Sequence, residues 1–142
     1  MVSVEFHTRM CDGYLVAALC GELDTVDAAD VAAALAVLTA RGRCLIVDMA
    51  ALDFIDCSAL GALLGVQILA RQDGGDMVLA GPREHVRRIL ALTSLDDAFC
   101  VHGSVACAVA SLASAAATRC ATACGEHLHS LARQHRCALV NG

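Results

Sequence analysis

The chain has 142 residues, enough for one domain with its own core. Ten basic residues, all Arg, face 15 acidic ones for a formal charge of −5, and aromatics make up only 3% with no Trp. Such a balance excludes a phosphate-backbone binder and a base-stacking platform, so no nucleic-acid partner is expected. A hydrophobic fraction of 58% excludes a disordered chain. The mean hydropathy of +0.63 raises a membrane reading. However, the run Ala59 to Ala70 has 12 residues and is interrupted by Gly61, Gly65 and Gln67. A bilayer span needs about 20. Val105 to Ala117 is Ala- and Ser-rich and too weakly apolar to partition, so no membrane insertion is expected. Glu5 and His7 precede any apolar stretch, no secretory signal is read, and a cytoplasmic location follows as the expectation. In that compartment the nine cysteines are expected to be reduced thiols rather than a disulfide framework.

In chain order, Val2 to Met10 and Tyr14 to Cys20 read as two antiparallel strands joined at Asp12-Gly13, a dipeptide suited to a two-residue hairpin loop. Leu23-Asp24-Thr25 leads into a helix with Val31, Leu35 and Leu38 on one face, closed by Gly42. Arg43 to Met49 is a short apolar strand, followed by a loop. Cys57 to Arg71 is a helix with Leu60, Leu63, Leu64 and Ile68 inward, and Gly61 and Gly65 one turn apart to admit a neighbouring backbone. Gly74-Gly75 turns into the strand Asp76 to Ala80. Gly81-Pro82 opens a helix with Val86, Ile89 and Leu90 inward. Phe99 to His102 is a last strand, and Ser104 caps a helix with the stripe Val105, Val109, Leu112 and Ala116. The order β-β-α-β-α-β-α-β-α predicts an α/β domain with a mixed, mostly parallel sheet, an opening antiparallel hairpin and about four helices. Residues 1–118 form this unit. Residues 119–142 read as a helical or partly disordered C-terminal extension.

One stretch carries more than architecture: Asp53-Phe54-Ile55-Asp56-Cys57-Ser58-Ala59-Leu60-Gly61, after the strand ending in Val47-Asp48. Asp56 is placed as the N-cap of the following helix, accepting from the backbone near Ser58 or Ala59. Ser58 then lies in the first turn, its hydroxyl near unpaired N–H groups at the positive end of the helix dipole. By itself the pattern also suits a well-capped core helix with no chemistry attached.

From Val47 to Gly61 the sequence resembles the signature of the STAS domain, and more narrowly that of bacterial anti-sigma factor antagonists, whose motif runs roughly D-L-x-x-L-x-F-I-D-S-S-G-L-G. Gly21-Glu22-Leu23-Asp24 is similar to the family's turn between second strand and first helix. Leu79-Ala80-Gly81-Pro82 and Thr93-Ser94-Leu95-Asp96 continue the likeness, which covers about residues 4 to 116 in the family's order. The resemblance implies a phosphoacceptor at Ser58. It also implies a protein-binding switch rather than an enzyme, with no cofactor and no metal. Its partners would be an anti-sigma factor that is itself a Ser kinase of the GHKL type and a metal-dependent Ser/Thr phosphatase. The unphosphorylated form would bind the kinase and release a sigma factor, and phosphorylation would break the complex. Partner contacts fall on Asp24, Asp56, Cys57, Ser58, Ala59 and Leu60. Two positions depart from the pattern: Cys57 stands at the first Ser, and Ala59 at the Gly, where its methyl is expected beside the acceptor hydroxyl. Asp24, Asp53 and Asp56 are expected to make the rim acidic.

Other readings keep the fold and change the role, to a STAS accessory or regulatory subunit, for example of a lipid transporter, or to an antagonist that is never phosphorylated. Redox control is a further alternative, since a cysteine at a helix N-terminus, here Cys57, can carry an enhanced thiolate fraction. In the tail, Cys120, Cys124 and His127 share a helical stripe, with His129, His135 and Cys137 beyond. The ends of that stripe are about 10 Å apart along a helix axis, and the spacing matches no zinc pattern. The plainer reading is a small helix packed on the body, or on a second copy in a homodimer. There is no nucleophile–base pair, and Gly74-Gly75 lacks the Lys and Ser/Thr of a phosphate loop.

Overall fold

The computed structural model describes residues 4–95 and 97–121, with side chains given up to Ala115. The tail beyond Ala121, with Cys124, His127, His129, His135 and Cys137, lies outside the described residues, as do the side chains of Ala116 and Cys120. The elements are β1 (Val4–Cys11), β2 (Tyr14–Leu23), α1 (Thr25–Thr39), a 3₁₀ turn (Ala40–Gly42), β3 (Cys44–Ile55), α2 (Cys57–Gln72), β4 (Asp76–Ala80), α3 (Glu84–Leu92), β5 (Val101–His102) and α4 (Val105–Ala121).

The five strands lie in the sheet in chain order. β1 and β2 are antiparallel, with Cys11 opposite Tyr14, and the remaining pairs are parallel. Asp12 and Gly13 both take positive φ, 51° and 85°, which matches the turn to the right-handed twist of the strands. Each crossover moves one strand in the same direction. A right-handed hand therefore puts α1, α2 and α3 on one face, leaving the other to α4.

The two faces differ in depth. On the first, Leu19, Leu23, Leu35, Leu45, Met49, Leu52, Ile55, Leu60, Leu63 and Met77 are fully buried within one cluster joined by Val86, Leu90 and Phe99. Each such side chain contributes roughly 1.5–3 kcal/mol by leaving water. On the second, α4 brings Ala108, Val109 and Leu112 against Val16, Ile46, Val78 and Ala80. The high hydropathy is thus spent on two covered sheet faces. Among the described residues, no helix is long and apolar enough to cross a membrane.

β3 continues six residues past the predicted end, through the stretch read as a loop. Its buried positions there, Met49, Leu52 and Ile55, are spaced by three rather than two. Register shifts between Ala18 and Cys20 and between Gly21 and Glu22 of β2 break the alternation, and Gly21 takes φ 96°. Irregularities of this kind insert extra residues and re-aim side chains, so the apolar pattern no longer reads as a strand. In α2, Ile68 is 49% exposed, and the inward positions are Ala59, Leu60, Leu63, Val66, Gln67 and Ala70. Gln67 is satisfied in the core by donating to the Met77 carbonyl at 3.2 Å. Gly61 and Gly65 are exposed with no neighbouring atom near a would-be Cβ, so they admit no backbone.

Candidate functional site

The motif sits where β2 and β3 end side by side and α1 and α2 begin. Leu23 pairs with Ile55 in register, and Asp56 N–H donates to the Leu23 carbonyl at 3.2 Å. This junction at the carboxyl ends of parallel strands is where open α/β sheets gather functional groups.

Asp24 is the N-cap of α1, its Oδ1 accepting from Val26 N (3.0 Å) and Asp27 N (3.4 Å). Asp56 caps α2 through Oδ1, which accepts from Ala59 N at 2.8 Å as expected. Its second oxygen reaches the other helix: Oδ2 accepts from Thr25 N–H at 2.9 Å and from the Thr25 hydroxyl at 3.0 Å. One carboxylate therefore serves the amino ends of two helices, each with a positive dipole end. The Ala59 N–H, opposed by desolvation and helped by the Ser58 and Thr25 hydroxyls and the Thr25 N–H, holds the Asp56 carboxyl below the usual carboxylate range.

Ser58 is exposed in the first turn of α2. Its hydroxyl is turned to Asp56 Oδ1 at 2.8 Å, and lies 2.7 Å from the Thr25 hydroxyl oxygen. The hydroxyl is thus held by a carboxylate and a second hydroxyl, rather than by the free N–H groups expected from the sequence. The helix does not consume it, because Asp56 does the capping. Thr25 is the member of the site that sequence reasoning missed; it reaches Ser58 from 33 residues away.

Cys57 is exposed beside Ser58. Ala59 and Leu60, expected at the contact surface, are fully buried in the main cluster. The helix turns both into the core because they follow the cap on its inward face, so the Ala59 methyl does not flank the acceptor. The exposed line from Ser58 runs instead through Gly61, Gly65 and Ile68, at helical spacing, with Leu69 alongside (55% exposed). Val26 is 82% exposed in the first turn of α1. The rim is less acidic than expected: Asp53 pairs with Arg83, whose Nε also donates to the Ala50 carbonyl at 2.8 Å. Next to this pair, Phe54 stacks on His85 with ring centroids 5.5 Å apart.

A family model for the STAS domain matches residues 3–108. A protein of Bordetella bronchiseptica, BtrV, whose assigned role is anti-sigma factor antagonist, is 31% identical over 105 residues, covering 73% of this chain and 90% of its own length. The crystal structure of an anti-sigma factor antagonist from Mycobacterium paratuberculosis superimposes with a TM-score of 0.68 at 24% identity, covering 76% of this chain and 92% of that one. SpoIIAA, an anti-sigma factor antagonist and Bacillus cell fate determinant, is similar in both its forms. The unphosphorylated one gives TM-score 0.56, 26% identity and coverage of 64% and 82%. The phosphorylated one gives TM-score 0.51, 24% identity and coverage of 64% and 85%. With the matched model spanning all five strands of the sheet, the paired helix starts and the capped motif at Asp56, the chain belongs to the STAS-domain family, among the anti-sigma factor antagonists.

Proposed function

We propose that the protein binds an anti-sigma factor of the GHKL Ser-kinase type through the start of α2, and that phosphorylation of Ser58 ends the complex. The observation that carries this is the Ser58 hydroxyl, exposed at a helix start whose capping is done by another residue. The protein is then substrate and ligand, with no catalytic group of its own. A docked partner covers Ser58, Cys57 and Val26 and follows the exposed line of Gly61, Gly65 and Ile68, an apolar patch next to a polar cluster. Asp24 and Asp56 act from beneath it, as caps that fix the two helix starts.

In the transfer step Ser58 Oγ attacks the γ-phosphorus of a nucleoside triphosphate held by the kinase. The new O–P bond forms as the bond to the departing diphosphate breaks, and the hydroxyl proton passes to a base of the kinase. The product carries about −1.5 to −2 charge. Its ester oxygen can no longer donate to Asp56, 2.8 Å away, and attraction gives way to like-charge repulsion. The Ala59-to-Asp56 cap does not pass through Ser58, so the fold survives. A partner that covered the neutral hydroxyl would have to bury an unpaired charge, at several kcal/mol. Since 1.4 kcal/mol is tenfold, a loss on the order of a hundredfold follows. A metal-dependent phosphatase would restore binding by hydrolysing the ester.

The test compares Ser58→Ala and Ser58→Asp for capture of a cognate GHKL kinase, with mass spectrometry of the wild-type chain after incubation with kinase and ATP. The proposal expects capture by Ser58→Ala, loss by Ser58→Asp, and phosphate on Ser58. Equal capture by the two variants removes the switch.

A further inference from the structure

We infer that Thr25 is the positioning residue of the Ser58 site: its hydroxyl fixes the rotamer of the acceptor before modification and donates to the phosphate afterwards. The importance of this for phosphotransfer rests on Ser58 being the acceptor, whereas the positioning itself stands on geometry alone.

Thr25 Oγ1 lies 2.7 Å from Ser58 Oγ and 3.0 Å from Asp56 Oδ2, while Ser58 Oγ lies 2.8 Å from Asp56 Oδ1. Three short oxygen contacts share two hydroxyl protons, since an ionised carboxylate only accepts. Each proton therefore has two destinations and one contact is always left without a proton; Ser58 is held from both sides when Thr25 donates to it and it donates to Asp56. A serine side chain has three staggered rotamers, and an exposed one would ordinarily sample them. Here the carboxylate and the threonine select one, and the carboxylate is itself held at the start of α1 by the Thr25 backbone N–H, which donates to Asp56 Oδ2 at 2.9 Å.

Esterification removes the Ser58 proton and with it the bond to Asp56, but leaves the Thr25 proton in place. Thr25 then stands beside the phosphate as a neutral side-chain donor. Among the described residues, the charged groups at these two helix starts are Asp56 at the β3–α2 junction and Asp24 and Asp27 at the start of α1, all acidic, while Arg83 at the start of α3 is engaged by Asp53 and the Ala50 carbonyl. Among acidic neighbours, a donor that stabilises the dianion lowers the second ionisation of the phosphate, and its removal raises it.

The experiment uses Thr25→Val, which keeps the shape and removes the hydroxyl, and Thr25→Ser, which restores it. Thr25 is exposed, so both are expected to fold, and a melt by circular dichroism verifies this. On the unmodified chain, the Hα–Hβ NMR couplings of Ser58 report its rotamer with no kinase present. On a chain carrying genetically encoded phosphoserine at position 58, ³¹P NMR follows the phosphate titration. The expected result is a single rotamer in the wild type, averaged couplings in Thr25→Val, and a phosphate pKa raised by roughly half a unit in that variant, with Thr25→Ser restoring both. A single Ser58 rotamer persisting in Thr25→Val, or a phosphate titration that the substitution does not move, overturns the inference. Neither readout uses a kinase, so failure of the partner-switch reading is seen separately, in the capture and mass-spectrometry experiment.

Discussion

Ser104 and Ser58 both stand at the amino ends of helices, on opposite faces of one sheet. Ser104 is the cap of α4: its hydroxyl oxygen accepts from Cys107 N–H at 3.1 Å, so the helix uses it. Ser58 lies two residues past a cap that Asp56 already provides, and its hydroxyl faces outward among polar neighbours. The same residue type at nearly the same helical position is structural in one case and available in the other. What separates them is the residue that satisfies the backbone N–H groups, which leaves Ser58 free to change its chemistry while α2 stays intact.

The strongest challenge to this contrast comes from beneath the site. Leu60→Ala should cost about 3 kcal/mol in denaturant unfolding, because Leu60 is fully buried between α2 and the sheet. A neutral result would mean that the start of α2 is loosely packed and that the exposed and buried sides of the motif are not distinct. The direct comparison has a smaller effect. Ser104→Ala should cost about 1 kcal/mol as a lost cap. Ser58→Ala should stay within about 0.5 kcal/mol, as an exposed substitution that leaves Asp56 on Ala59. Equal costs would return Ser58 to a capping role. The smallest effect is the acid limb of stability. The Asp56 carboxyl is held below its usual value in the fold, first by the Ala59 N–H. Its contribution is complete above the ordinary carboxylate pKa and is lost as pH falls through the lower folded value. Thermal melts below about pH 4 should therefore fall more steeply for the wild type than for Asp56→Asn. Parallel curves would deny the carboxylate its special stabilisation.

Much of this is legible in the chain itself. The hairpin at Asp12-Gly13, the cap at Ser104, the cap at Asp56 and the inward face of Leu60 and Leu63 each depend on residues within one or two turns of one another. The extension of β3 is not legible, because its two irregularities replace a period of two by a spacing of three at Met49, Leu52 and Ile55. The rim is less acidic than its residues suggest for a similar reason: Arg83 meets Asp53 across 30 residues.

The sequence by itself determined that a serine would follow an aspartate cap at the start of a helix in an α/β chain, since capping and periodicity are settled by near neighbours. Only the tertiary structure decided that Thr25 would meet Asp56 and Ser58, contacts that span 31 and 33 residues. Parallel pairing of β2 with β3 sets two strand ends, and so two helix starts, side by side, and one carboxylate can then answer both.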